Sequence, residues 1–482
     1  MKYKKTAIIL AATLLCTLLL GLIAPAMVHT ENQRYHQHLE AEEKEPCSHE
    51  EDVFCTHLPV IMIDTDGEAI PGQAYYDEDM NRHYTTTPDG GTYVIASVRI
   101  MDREGTNNHT TDEATISSQA RIRVRGHSSR HFIKLGYSLN FVDETEANVS
   151  HSVMGMDAHH EWVMHGPILD KTLIRNYMWY NIAGEIMDYA PNVRFCEAFL
   201  NGRYMGVYLM VESITAGKNG ARLPLSIDKK NNTFTGYCLR LDRGSRAEKD
   251  MNSFSMYTYQ TDSILDSVYP GTSNLTPELK KAIQDDFSAF ERLLYSVDYN
   301  HEKYGYQAHI DVDSFVDYFL LNEFTSNYDA GMLSTYIYKE VGGRYKMCVW
   351  DFNSALDNYQ EQIANPETFL LQDRVWFNSL FRDGAFTERV ISRYRELRDT
   401  YLNEEYLNRY IDETIAYLGD AIDRNYERWD DDFDYDLLLP PERNPDSYEE
   451  AVDDMKRYIH IRGEWMDEHI DILRRYIVDP AE

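Results

Sequence analysis

The chain is organised around residues 322–358, NEFTSNYDAGMLSTYIYKEVGGRYKMCVWDFNSALDN. Their hydrophobic pattern predicts two strands, residues 334–340 and 344–350, joined by a Val-Gly-Gly turn whose glycines tolerate the positive φ of a tight hairpin. Asp329 precedes the first strand and Asp351 follows the second, so a closed hairpin brings two distant carboxylates to one end of the ribbon. Such a pair can hold Mg²⁺ and orient a nucleophile, but aspartate is also common at strand ends, and spacing alone leaves both interpretations open.

The N-terminal 28 residues have the pattern of an export segment. Three lysines within residues 1–5 precede an apolar run over residues 6–28, which is long enough to span a bilayer, and residues 24–26, Ala-Pro-Ala, resemble a cleavage site. Residues 1–28 are therefore predicted to be a signal peptide or an N-terminal membrane anchor, and the rest of the chain to be extracytoplasmic, either membrane-anchored or secreted. The polar residues 29–57 are predicted to be a stalk or linker.

Composition and charge limit the class of protein. With 43% hydrophobic and 12% aromatic residues, the chain can build a substantial core. Its 80 acidic residues outnumber its 47 lysines and arginines and give a formal net charge of −33, which argues against nucleic acid as a partner because a phosphate backbone needs a basic face. In an exported protein Cys47 and Cys55 could close a small disulfide loop, whereas Cys196, Cys238 and Cys348 lie in apolar runs and are expected to be buried thiols.

A basic strand lies within a region of antiparallel β pattern, residues 58–142. Arginines at alternate positions of residues 121–125 share one face of this strand. Together, Arg125, the turn over residues 126–129 and Lys134 could cradle phosphate. The alternative is a solvent-facing or salt-bridged edge strand.

Helices and a second hairpin follow. Asp170 is expected to cap a helix, and the Asn-Gly turn within residues 193–211 predicts a hairpin that ends at Glu212. The Glu212 carboxylate could pair with Lys134 or reach a metal, or it could be a surface residue that begins a loop. Amphipathic patterns dominate residues 276–477 and predict a mainly helical region.

Taken in order, these motifs resemble the CotH family of atypical spore-coat protein kinases, with similarity spread over about residues 58–477. The matching motifs are RVRGHSS at 123–129 with Lys134, Asp170 with LIRN at 173–176, NGRYMGVY at 201–208 ending at Glu212, Asp329, and WDF at 350–352. The resemblance implies an α+β, bilobal, protein-kinase-like domain. Its β-rich N-terminal lobe would span about residues 58–212, and its mainly helical C-terminal lobe about residues 213–477.

The resemblance also implies an activity. Members are similar to protein kinases, which transfer the γ-phosphate of ATP with the help of Mg²⁺ or Mn²⁺; here the acceptor would be a Ser or Thr hydroxyl of an envelope, coat or secreted protein. Lys134 would contact the nucleotide phosphates and Arg125 would assist it. Glu212 would help to place the nucleotide or that lysine.

The carboxylates take the remaining roles that the resemblance implies. Asp329 would be the catalytic acidic residue and Asp351 the metal ligand, while Asn353 stands where the family often has a second aspartate and offers a neutral oxygen to the metal. A non-catalytic pseudokinase that binds partners at the cell surface, such as glycan or extracellular matrix, is the alternative. Ionisable groups gathered in one cleft would favour the kinase, and an apolar cleft with both aspartates paired to arginines would favour the binding module.

Overall fold

The computed structural model describes the chain except for residues 1–33, 42–43, 46–52, 218–221, 227–234, 244–246, 255–262, 359–363, 430–442 and 479–482. The predicted signal peptide or anchor at residues 1–28 lies outside the described residues, as does Cys47 of the predicted disulfide. Within the described part, no helix is both long and apolar enough to cross a membrane. The chain divides after His36 into two compact units, and the second, from Gln37 onward, contains all the strands and helices of the described residues.

Fifteen strands are present in the described residues. They are β1 Cys55–Thr56, β2 Val60–Asp64, β3 Ala74–Tyr76, β4 Arg82–Tyr84, β5 Val94–Met101, β6 Asn108–His109, β7 Ile116–Val124, β8 Tyr137–Val142, β9 Glu161–His165, β10 Val193–Leu200, β11 Arg203–Glu212, β12 Tyr237–Asp242, β13 Ile264–Tyr269, β14 Thr335–Lys339 and β15 Lys346–Cys348.

The α-helices of the described residues are concentrated in the C-terminal half. They are α1 Gln37–Glu40, α2 Arg175–Ile186, α3 Pro277–Leu294, α4 Val312–Phe324, α5 Phe377–Leu380, α6 Gly384–Arg398, α7 Glu404–Leu418, α8 Asp420–Arg428 and α9 Tyr448–His469. The chain is therefore an α+β protein with a β-rich N-terminal region and a helical C-terminal region, as the sequence predicted.

The N-terminal strands close into a seven-stranded barrel in the order β10-β11-β9-β8-β7-β5-β2. Neighbours are antiparallel except β2 and β10, whose parallel pairing closes the ring. Apolar side chains of alternate positions fill the interior, including Val98, Ile122, Leu139 and Met210. The basic strand β7 is paired on both sides, with β5 and β8, so the alternative of an edge strand is wrong in that respect. Its Arg121 is nevertheless salt-bridged, to Glu146 at 3.3 Å.

A second sheet, in the order β13-β12-β14-β15, contains the hairpin that the sequence predicted. In that hairpin Tyr336 lies opposite Cys348, and both strands are shorter than the hydrophobic pattern suggested. Buried residues of α2, α3, α4, α6 and this sheet form one continuous apolar core, because each helix presents its apolar face to the sheet or to another helix.

Two local predictions differ from the structure in their boundaries. The helix α2 begins at Arg175 rather than directly after Asp170, because the Asp170 carboxylate accepts hydrogen bonds from the backbone N–H groups of Thr172 (3.1 Å) and Arg175 (2.7 Å) across an intervening turn. Part of the predicted linker is packed on the barrel: the Gln37 side chain exchanges two hydrogen bonds with the backbone of Phe195, at 2.7 and 3.2 Å.

Candidate active site

A cavity of about 750 Å³ lies between the barrel and the end of the second sheet. Among its described lining residues are six arginine or lysine side chains and three carboxylates. The basic residues are Arg123, Arg125, Arg130, Arg240, Arg243 and Lys249, and the carboxylates are Asp242, Asp329 and Asp351. A basic excess of this kind, in a chain of formal charge −33, concentrates anions at one place.

The three carboxylates meet because of the strand directions in the second sheet. Strand β12 runs antiparallel to β14, and β14 runs antiparallel to β15. The end of β12, the start of β14 and the end of β15 therefore lie at the same end of the sheet. Asp242 ends β12, Asp329 precedes β14, and Asp351 follows β15. The predicted convergence of Asp329 and Asp351 is therefore observed, and Asp242 joins them.

The carboxyl group of Asp329 is held in an environment that favours its protonated form. Burial and then the charge of Asp351 raise the pKa of Asp329 to about 7, against the opposing charge of Arg243. Its Oδ1 atom is buried and has no hydrogen-bond partner among the described residues. A carboxyl group that titrates near neutral pH can accept a proton from a hydroxyl group under physiological conditions.

Asp351 is fixed through its backbone as well as its side chain. Its φ of +60° lies in the left-handed region, which costs a residue with a side chain about 1–2 kcal/mol and persists only where neighbours hold it. The Asp351 N–H donates to the Tyr180 hydroxyl (3.0 Å), and the Asn327 side chain donates to the Asp351 carbonyl (3.2 Å). Burial raises the pKa of the Asp351 carboxyl, and the positive charge of Arg125 opposes that effect.

The two predicted carboxylates are not neutralised by direct pairing. In the described part of the chain, neither Asp329 nor Asp351 forms a salt bridge with a basic side chain, whereas Asp242 lies 3.3 Å from Arg240. Arg125, predicted to assist at the phosphates, lines the same cavity with its guanidinium 5.3 Å from the Trp350 ring centroid. Its charge is thus available to both Asp351 and an anion in the cavity.

Asn353 orients the neighbouring carboxylate. Its side-chain nitrogen donates to Asp351 Oδ1 (2.7 Å), and its oxygen accepts hydrogen bonds from Asn176 (2.9 Å) and His165 (3.0 Å). Burial lowers the pKa of His165 to about 4, so its imidazole is neutral at pH 7 and donates through Nε2–H. The Asn353 oxygen, predicted as a metal ligand, is engaged by two protein donors in this conformation.

The structure places Lys134 and Glu212 outside the lining of the cavity. Lys134 is buried, donates to Asn425 Oδ1 (2.7 Å) and lies 5.2 Å from the Tyr208 ring centroid. Glu212 is buried rather than a surface residue, and it forms a salt bridge with Arg222. The possible pair between Glu212 and Lys134 is not formed: Glu212 is paired with Arg222, ten residues later, and Lys134 donates to Asn425, far along the chain.

Sequence reasoning missed several residues of the cavity. Asp242 lies at the end of β12, so the strand-end rule that identified Asp351 also applies to it. Asn176 and Tyr180 are four residues apart on α2, a spacing that puts both on one helix face, but nothing local indicates what that face contacts. Arg243 and Lys249 lie in a polar stretch without a readable pattern.

Two comparisons with known proteins place the chain in a family. A family model described as CotH kinase protein matches residues 122–466, a range that contains Arg123, Asp242, Asp329 and Asp351. The inner spore coat protein H of Bacillus subtilis (strain 168) is 23% identical over 362 residues, which cover 73% of this chain and 87% of that protein. Because the family model spans well over half of the sequence, the chain belongs to the CotH kinase protein family.

Proposed function

We propose that this protein is an exported protein kinase that transfers the γ-phosphate of ATP to a Ser or Thr hydroxyl of an envelope, coat or secreted protein. The observation that carries the proposal is that Asp329 and Asp351 line the same cavity as six basic side chains. Neither aspartate forms a salt bridge among the described residues. Phosphoryl transfer needs positioned carboxylates and charge neutralisation more than covalent catalysis, and this cavity offers both.

The residues of the cavity fit the nucleotide and the divalent metal ion that such a reaction requires. The triphosphate of ATP would lie against the basic side chains, of which Arg125 and Arg243 act on the two carboxylates electrostatically. Asp351 would hold Mg²⁺ or Mn²⁺, since a carboxylate oxygen is a preferred ligand for both ions. The bound metal would neutralise charge on the phosphates.

Asp329 would act on the acceptor. Its pKa of about 7 leaves roughly half of the molecules deprotonated at neutral pH. In that form it accepts the hydroxyl proton while the acceptor oxygen bonds to the γ-phosphorus and the bond to the β-phosphate oxygen breaks, with ADP as the leaving group. Its unpartnered Oδ1 is consistent with a hydrogen bond that forms only when the acceptor is bound.

A non-catalytic binding module is the second candidate, and it has support of its own. Lys134 and Glu212 lie outside the cavity lining, and the Asn353 oxygen is engaged by His165 and Asn176. With fewer side chains to contact the nucleotide and a single carboxylate to bind the metal, the cavity would bind anions but catalyse phosphate transfer slowly or not at all. The polar lining and the absence of salt bridges to Asp329 and Asp351 in the described residues favour the kinase.

The name of the Bacillus subtilis relative supports a coat or other extracytoplasmic location. The predicted signal peptide or anchor at residues 1–28 agrees with that location, and it remains a prediction. In the kinase hypothesis, the partners are a nucleotide and a protein substrate rather than nucleic acid, consistent with the formal charge of −33.

The test is transfer of labelled γ-phosphate from ATP to a Ser-rich acceptor protein, with Mg²⁺ or Mn²⁺ and the purified full chain. Asp351→Asn is the test variant, and Asp285→Asn is the matched control, because the Asp285 side chain is 65% exposed and lies on α3 away from the cavity lining. Label incorporated by the parent and the control, but not by Asp351→Asn, would establish the kinase. No label and no thermal shift with nucleotide and metal would favour the binding module.

A further inference from the structure

One helix holds the turn that carries Asp351, the proposed metal ligand. Asn176 and Tyr180, four residues apart on α2, contact three consecutive residues of this turn. The Tyr180 hydroxyl accepts the N–H of Asp351 at 3.0 Å. The Asn176 oxygen accepts the N–H of Phe352 at 2.7 Å, and the Asn176 nitrogen donates to the Asn353 oxygen at 2.9 Å.

The backbone N–H of Phe352 sets the direction of every hydrogen bond in this chain of contacts. A backbone N–H can only donate, so the Asn176 atom facing it must be the oxygen, and the other Asn176 atom must be the donor nitrogen. That nitrogen faces Asn353, whose near atom must therefore be its oxygen. The Asn353 nitrogen is then left to donate to Asp351 Oδ1, as observed at 2.7 Å.

His165 is a further partner of the Asn353 amide, and the oxygen that Asn176 fixes toward it selects the Nε2–H tautomer of its neutral ring. His165 reaches the Asn353 oxygen through Nε2 at 3.0 Å, so this oxygen has donors on two sides. If the amide rotated by half a turn, its nitrogen would face the donors of Asn176 and His165, and its oxygen would face the carboxylate of Asp351. The contacts with Asn176 and Asp351 would each lose a hydrogen bond, which confines Asn353 to one orientation.

We propose that Asn176 is the positioning residue of the metal site: by fixing the amide of Asn353, it orients the carboxylate of Asp351 for metal binding. The inference rests on the proposed function, since it assumes that Asp351 holds the metal. Groups that orient a metal ligand through hydrogen bonds typically contribute about 10–100-fold to metal affinity. Asn176 itself binds neither metal nor substrate in this proposal.

The experiment measures binding of Mn²⁺ to the full chain by electron paramagnetic resonance of the free ion, without nucleotide and without turnover. Asn176→Leu replaces the two polar side-chain atoms with methyl groups, which removes both hydrogen bonds, and should weaken Mn²⁺ binding about 10–100-fold. Asn176→Asp keeps the acceptor for Phe352 N–H but presents a second acceptor to the Asn353 oxygen. It should weaken binding as well, although it adds a negative charge to the region.

Matched variants separate positioning from a structural role. Asn181→Leu changes a buried asparagine on the same helix that does not line the cavity, so it should change thermal stability without changing Mn²⁺ affinity. In transfer assays, saturating Mg²⁺ should restore most of the rate to Asn176→Leu, which a folding defect would not allow. If Asn176→Leu does not fold, Asn176→Asp carries the test alone, because aspartate has almost the same shape as asparagine.

The outcomes distinguish this inference from the proposed function. Mn²⁺ binding by the parent that Asp351→Asn loses, and that both Asn176 variants weaken, supports the positioning role. Equal binding by the parent and the Asn176 variants, or tighter binding by Asn176→Asp, overturns it while leaving the kinase proposal intact. A parent that binds no Mn²⁺ without nucleotide, or that binds it equally well after Asp351→Asn, overturns the positioning role; the kinase proposal itself is overturned only if no label is transferred from ATP.

Discussion

Replacing Asp329 with asparagine should stabilise the protein at and above neutral pH and at the same time abolish phosphate transfer. The folded protein raises the pKa of this carboxyl to about 7, whereas in an unfolded chain it lies near about 3.9. Between these two values the unfolded chain releases the proton and the folded protein retains it. The free energy of unfolding of the parent therefore falls as pH rises through this window and stays reduced above about pH 7. Asparagine does not titrate, so the free energy of unfolding of the variant does not fall in this way as pH rises.

The size of the effect follows from the width of that window. About three pH units, at about 1.4 kcal/mol each, correspond to about 4 kcal/mol. This is an upper bound because Asp329 is half-buried in a cavity that admits solvent, which screens its charge. The asparagine variant should gain little at pH 4 and about 1–4 kcal/mol at pH 8 relative to the parent.

The assay is urea unfolding of the full chain at pH 4, 6 and 8, with the midpoint and the slope m compared between the parent, Asp329→Asn and Asp285→Asn. Asp285→Asn removes only an exposed ion pair with Lys281, so its stability should stay within about 1 kcal/mol of that of the parent. A gain for Asp329→Asn that increases with pH at unchanged m supports the reasoning. A gain that is the same at all three pH values, or a loss of stability at pH 8, would refute it.

Three further predictions concern the parent and two other side chains. The rate of phosphate transfer by the parent, measured in single turnovers, should rise with pH and then level off, because Asp329 must be deprotonated to accept a proton. A metal on Asp351 offsets the negative charge that helps to raise the pKa of Asp329, so the plateau should begin below pH 7; a rate that does not fall at all down to pH 4 would exclude Asp329 as the base. Asp351→Ala should abolish the thermal shift caused by Mg²⁺ with nucleotide and leave the circular dichroism spectrum unchanged. The reason is that a half-buried carboxylate at a strand end contributes little to packing. Loss of the native spectrum would show that Asp351 has a structural role instead. Lys134→Met should lower the free energy of unfolding by about 1–3 kcal/mol, because it removes the buried, charged hydrogen bond to Asn425 and leaves that oxygen only the N–H of Val207. It should leave KM for ATP within about twofold; a large rise in KM with normal stability would instead place Lys134 at the nucleotide.

The hairpin and its carboxylates show how far local patterns reach. Alternating apolar residues and a Gly-Gly turn encode strand pairing within a few residues, so the convergence of Asp329 and Asp351 followed from the sequence. The same rule applied to Asp242 required knowing that β12 pairs with β14, almost a hundred residues later. That pairing has no local signal, because any strand with an apolar face could have taken the position.

Buried charges were the least predictable part of the candidate site. Lys134 and Glu212 have the residue types of a phosphate contact and its partner, yet they bind Asn425 and Arg222. A buried charge must find a partner, but which partner it finds depends on segments that the fold brings together. The hydrogen bonds of Asn176 and Asn353 around Asp351 were equally unpredictable. Their direction is set by the backbone N–H of Phe352, which meets Asn176 only in the folded chain.

In the sequence, a set of motifs indicated the family by resemblance, whereas local patterns determined the order of a β-rich and a helical region, the hairpin, and the two carboxylates that meet at its end. These features depend on backbone preferences and on hydrophobic periodicity, which act over a few residues. Tertiary structure alone decided that β2 and β10 close a barrel, that Lys134 and Glu212 lie outside the cavity lining, and that α2 fixes the turn of Asp351. Those features depend on contacts between residues far apart in the sequence, and packing selects such contacts only when the whole chain is folded.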